Sequence, residues 1–154
     1  MQLISLNIWG GRVHVPLVSF LQKYAESTDV FCFQEVHDNP PKPLEDDTES
    51  MADFFGQLLV ILPNHIGYFA PQIPGIGMAV FVTKNIVIES MTYTTILKTE
   101  EMSEKFIPRV LQKTVLHNPK MSIYNFHGVP KSNKLDTPER YIQTTRLLEE
   151  IEKD

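Results

Sequence analysis

Three polar residues stand at the ends of apolar segments, and their types suit the handling of an oxyanion by a hard cation. Asn7 lies toward the end of Met1-Gln-Leu-Ile-Ser-Leu-Asn-Ile-Trp9, and Glu35 closes Asp29-Val-Phe-Cys-Phe-Gln-Glu35. Both segments are apolar enough to be strands buried on both faces. If the strands are parallel neighbours, an amide and a carboxylate reach one rim. That corner suits magnesium, which takes oxygen ligands, keeps several waters and is commonly held by one or two carboxylates plus substrate phosphate. The structural alternative is that Asn7 opens a turn before Gly10 and Glu35 is an exposed strand end. Asn125 and His127 lie two apart in Ser122-Ile-Tyr-Asn-Phe-His-Gly128, so period-two alternation sends both to one face and Phe126 to the other. An imidazole and an amide can donate hydrogen bonds to a phosphate oxygen whose charge grows in the transition state. A hydrogen-bonded core histidine is the alternative there.

The remaining candidates are weaker. His14, His37, His65 and His117 fall in different segments without a repeated ligand spacing, which argues against zinc. His37, two residues past Glu35, is the partial exception, since it stays near the same rim if the strand extends that far. Arg109 heads a β-rich segment and Arg140 lies in the first turns of the last helix; either can reach phosphate, although surface and ion-pair roles are commoner. Gly75-Ile-Gly77 lacks the lysine and spacing of a phosphate-binding loop, and no nucleophile elbow or dinucleotide fingerprint occurs.

The elements that must position these residues follow from periodicity. Gly10-Gly11 ends the first strand, and from Pro16 the residues Leu17, Phe20, Leu21 and Tyr24 recur at helical spacing. Strand, helix and strand in that order imply a right-handed crossover, with both carboxyl ends on the ligand-binding rim of a parallel pair. Asn39-Pro-Pro-Lys-Pro43 and the acidic run Glu45-Asp46-Asp47 read as a solvated loop, and Met51, Phe54, Phe55, Leu58 and Leu62 as a second helix. Short β-rich segments follow at 66–70, 77–83, 86–97, 109–117 and 122–129, and predict an antiparallel meander. Lys98 to Lys105 reads as a loop tip. Thr137 and Pro138 supply the cap and first residue of a last helix, with Tyr141, Thr144, Leu148 and Ile151 as its stripe.

Composition bounds the partners. The 154 residues are 42% apolar and 21% charged, which is ordinary for one globular domain or part of one. A net charge of −5 gives no footprint for sequence-independent nucleic-acid binding, so any phosphate must be attracted locally. The single cysteine, Cys32, sits in an apolar run and reads as a buried small hydrophobe, which excludes a disulfide framework. No apolar run is long enough to span a bilayer and no leader pattern is present, so the expectation is a cytoplasmic, reduced setting without a membrane span.

Taken together, Leu6-Asn-Ile-Trp-Gly-Gly11, Phe33-Gln-Glu-Val36, Gly77-Met-Ala-Val-Phe81, Tyr124-Asn-Phe-His127 and Asp136-Thr-Pro-Glu-Arg140 resemble the endonuclease/exonuclease/phosphatase superfamily across essentially the whole chain. The resemblance implies an α/β protein, the amino-terminal half of a four-layer α/β/β/α sandwich of the deoxyribonuclease-like fold. It implies a metal-dependent hydrolase of phosphate esters, whether nuclease, phosphodiesterase or phosphatase. Glu35 matches the family's holder of a divalent metal, usually Mg2+ (or Mn2+). Asn7 matches the asparagine beside metal and phosphate, and His127 the histidine that contacts the scissile phosphate. Asn125 matches the asparagine of the same motif and is expected at the phosphate. The family's later Gly-Asp-x-Asn segment, whose aspartate orients the attacking water, and its terminal Asp-His pair have no counterpart in this sequence. Residues 1–154 are therefore expected to be a partial domain, truncated before its second half, and inactive alone. Sheet edges left unpaired by that truncation give the rival expectation: a non-catalytic half-domain that binds a partner or self-associates.

Overall fold

A computed structural model of the chain describes residues 1–41, 50–102, 106–130 and 135–154. Leu3–Asn7 (β1), Val30–His37 (β2), His65–Ile73 (β3) and Ile76–Thr83 (β4) form one sheet of order β1-β2-β4-β3. Ile88–Leu97 (β5), Arg109–Leu116 (β6) and Met121–Phe126 (β7) form a second, antiparallel sheet. The helices are His14–Tyr24 (α1), Phe54–Ile61 (α2) and Pro138–Ile151 (α3).

Alternation along β2 and β4 builds the layers. Phe31, Phe33 and Phe81 pack with Leu21 of α1 and Phe54 and Leu58 of α2. One residue out of step, Val30, Cys32, Val80 and Val82 meet Leu116 and Ile123 of the second sheet. The first sheet is thus apolar on both faces because helices cover one and a sheet the other. With α3 docked against β5, the order is α/β/β/α, as expected. Cys32 is buried there, which pushes its thiol up to about 12 and leaves it inert.

Four local expectations change. The parallel pairing of β1 with β2 holds, but β1 lies at the sheet edge and its residues alternate between exposed and half-buried, with Leu3 43% exposed. The meander divides, because β4 turns back to pair antiparallel with β2, while β5 opens the other sheet. Helix α1 starts at His14, ahead of Pro16. Finally, α3 begins as predicted, with Thr137 Oγ1 accepting from the Arg140 amide at 3.5 Å, yet Tyr141 and Leu148 are exposed. Its docking contacts are polar: Gln143 Oε1 accepts from the Val129 amide, and Arg146 donates to the Ile96 carbonyl and to Glu101. The acidic run 45–47, the end of the Pro-rich loop and residues 103–105 lie outside the described residues.

Candidate active site

A bulge sets the first part of the site. Gln34 pairs with Met78 and Val36 with Gly77, so Glu35 is the extra residue, and its φ of 56° puts it in the left-handed region. Bulges re-aim a side chain where regular pairing would bury it. Gly77 opposite is obligatory, since a Cβ there would stand 2.1 Å from the Ala70 carbonyl oxygen. Asn7, beside Gln34 in the parallel pair, donates from Nδ2 to Glu35 Oε1 at 2.9 Å. Its Oδ1 accepts from the Trp9 amide at 2.9 Å. Asn7 therefore does open the turn, as its structural reading required, and also holds the carboxylate.

The second sheet supplies the rest. Arg109 is the first residue of β6 and His127 directly follows β7, so antiparallel pairing brings them to the same end of the sandwich. Together with Glu35, His37, Trp9 and Arg12 they line a cavity of about 230 Å³. His127 Nε2 is 3.5 Å from Glu35 Oε1. Burial, and then the Arg109 charge, lower the His127 pKa from 6.5, and Glu35 opposes them, so the imidazole is favoured in its neutral form. Arg109 is 3% exposed; burial presses its pKa down while Glu35 supports its charge. Among the described residues, Arg109 Nε and His127 Nδ1 are buried without a hydrogen-bond partner. A buried guanidinium N–H and an imidazole beside one cavity give its wall the chemistry to receive an anion.

Of the residues singled out in the sequence, Glu35 and His127 share the cavity wall with His37, and Asn7 reaches them from outside it through its hydrogen bond to Glu35. Asn125 does not. It is 2% exposed, accepts from Gln34 Nε2 at 2.7 Å, and its Nδ2 serves the Phe33 and Ala79 carbonyls and Gln112 Oε1. The alternation that turns Asn125 inward is as expected, but the strand ends before His127, which leaves the shared face. Arg140 clamps the Val129 and Leu135 carbonyls, away from the cavity. His14, His65 and His117 pair separately with Gln57, the Thr28 carbonyl and Glu89.

Arg109 is the residue that sequence reasoning undervalued, and its signal was a cation opening a strand whose next residues are apolar. Arg109→Met is expected to weaken inorganic phosphate binding roughly 10- to 100-fold, the worth of a charge-assisted hydrogen bond. Its melting temperature is expected to be unchanged or higher, because a buried unmatched cation is removed. Calorimetric titration beside a thermal melt checks both; unaltered binding with a lower melting temperature would make Arg109 structural.

Among the described residues no three histidine, cysteine or acidic side chains gather as a metal cage. Asn7 turns its Nδ2 to Glu35 and its Oδ1 to the Trp9 amide, so the Glu35 carboxylate is the hard oxygen donor of this corner and Asn7 orients it. One carboxylate fits a largely hydrated magnesium ion and does not fit a closed zinc or calcium cage.

The sequence matches the profile of the Endonuclease/Exonuclease/phosphatase family over residues 4–153. No curated protein matches it. Among solved structures, it is similar to an endonuclease/exonuclease/phosphatase family protein from Leptotrichia buccalis, at 14% identity and TM-score 0.69, covering 97% of this chain and 61% of that one. Similarity to D. rerio TDP2 complexed with single strand DNA product is 15% identity and TM-score 0.67, covering 97% and 54%. For ANGEL2, a 2′,3′-cyclic phosphatase, the values are 17% and 0.66, covering 98% and 46%. At such identities the likeness is one of fold, and the chain spans about half the length of each protein it matches. On the profile match, the chain belongs to the Endonuclease/Exonuclease/phosphatase family, whose members are hydrolases of phosphate esters.

Proposed function

We propose that residues 1–154 form the amino-terminal half of a magnesium-dependent phosphoester hydrolase domain, contributing its metal and phosphate sites. The observation that carries this reading is the convergence of one carboxylate, Glu35, with the Arg109 guanidinium and the His127 imidazole at a single cavity. Glu35 would hold the metal, its carboxylate oriented by the Asn7 amide. When bound, magnesium supplies positive charge to a phosphate oxygen and lowers the pKa of its water. Arg109 binds the phosphate and fixes its orientation by a charge-assisted hydrogen bond. Neutral His127 donates to the phosphate oxygens, and that bond strengthens as their charge grows, so it favours the transition state over bound substrate. Asn125 acts at a distance, as a positioning residue beneath Glu35 and His127.

The coverage of about half of each matched structure supports the half-domain assignment, as does the absence of a second carboxylate from the cavity wall among the described residues. Magnesium or manganese is expected to bind weakly, because one carboxylate is a poor cage, and Glu35→Gln is expected to abolish that binding with the fold retained. Metal titration followed by circular dichroism on the variant checks it. Unchanged metal affinity would remove Glu35 from the role.

A further inference from the structure

Trp9 is the feature of the cavity that phosphate chemistry leaves unused. Its indole is 53% exposed, yet it lines the same cavity as Glu35, Arg109 and His127. The ring is held out by its backbone: φ is 49°, costly for a bulky side chain, and the Asn7 bond to its amide and the left-handed Gly10 (φ 60°) and Gly11 (φ 78°) fix it there. At Gly10 a Cβ would stand 2.2 Å from Ser50 Oγ, so the turn closes tightly. Arg12 stacks on the indole with Cζ 4.8 Å from the ring centroid, and its Nε donates to Ser50 Oγ at 3.2 Å. A guanidinium so anchored makes the tryptophan a flat, preorganised, electropositive surface.

We propose that Trp9, backed by Arg12, is the specificity-determining surface of this site and stacks a nucleobase beside the phosphate, so that the substrate is a nucleotide or nucleic-acid phosphate. This assignment rests on the phosphoester-hydrolase reading for its phosphate, though the stacking surface itself does not. Three observations favour a base over other groups that flank phosphates. The cavity of about 230 Å³ is smaller than the usual range of roughly 300–1,000 Å³ for ligand pockets, so it takes the phosphate and leaves the neighbouring group at the rim, where Trp9 stands. The cation already on the indole repels a choline-type headgroup, which would otherwise seek the same ring. A sugar or inositol ring can set only C–H groups against the indole, whereas every base sets a π face there.

Trp9 is the only tryptophan in the chain, so its fluorescence reports on this surface alone. The intact 154-residue chain is titrated with adenosine 5′-monophosphate, ribose 5-phosphate, adenosine and phosphocholine, with excitation where adenine is transparent. Adenosine monophosphate is expected to quench Trp9 and to bind at least about tenfold more tightly than ribose 5-phosphate, the order of one base–aromatic stack. By calorimetry, Trp9→Leu is expected to lower adenosine monophosphate affinity to the ribose 5-phosphate level, and Trp9→Phe to restore part of it. Equal affinities for the two phosphates, an unaffected Trp9→Leu variant, or stronger quenching by phosphocholine would each overturn the proposal. If neither phosphate binds, the phosphate reading fails. Adenosine then decides the surface: quenching sustains it, and none overturns it.

Discussion

Incubated with magnesium and bis-(p-nitrophenyl) phosphate or DNA, the 154-residue chain is expected to show no hydrolysis above a heat-killed control. The expectation comes from counting roles against side chains. Among the described residues that line the cavity, Glu35 is the one carboxylate, and in the proposed reading anchoring a metal uses it. In that reading Arg109 and His127 bind and stabilise phosphate, but neither is a carboxylate that orients water. Asp136 is exposed near the start of α3 and does not line the cavity, so it supplies no base. Loss of general-base assistance alone costs about 10²- to 10⁴-fold in rate. Magnesium-dependent turnover by the purified chain, abolished by Glu35→Gln, would falsify the half-domain reading. It would also make His127, whose pKa is lowered by burial and by Arg109, the base by default.

Replacement of Asn125 is expected to give a large loss of stability. Its side chain joins the sheets: Gln34 belongs to β2, Gln112 to β6, and the carbonyls that accept from its Nδ2 to Phe33 and Ala79 of β2 and β4. Asn125→Leu keeps the approximate volume but strands the Gln112 oxygen and takes an acceptor from the Gln34 amide, while the Phe33 and Ala79 carbonyls lie in inner strands paired on both sides. Each buried group left unmatched costs about 1–3 kcal/mol, and Gln34 recovers part through its bond to Ser5 Oγ, so a net loss of roughly 2–4 kcal/mol follows. Against total stabilities of about 5–15 kcal/mol, that leaves the variant marginal. Urea unfolding monitored by circular dichroism measures it. A loss below about 1 kcal/mol would show that the amide network is dispensable, and with it the claim that Asn125 positions Glu35 and His127.

By itself the sequence determined the elements and much of the site. Short apolar, β-rich runs mark the strands, continuous where both faces of the sheet are covered, because successive side chains point to opposite faces whatever lies across from them. Thr137 before Pro138 marks the start of α3 for an equally local reason, the need to satisfy a first-turn amide. Asn7 and Glu35 were legible as polar ends of apolar strands that pair in parallel. Periodicity states which face is apolar and is silent about what covers it. So the antiparallel segments divided between two sheets, and α3 docked through Gln143 and Arg146 while its apolar stripe stayed exposed. Only the tertiary structure turned Glu35 outward through a bulge, since that needs β1, β4 and the missing Cβ of Gly77 together. Only the tertiary structure distinguished Arg109 from Arg140, and Asn125 from His127. Residue type is the same or similar in each pair, and the difference is burial, which arises when the second sheet closes over the first.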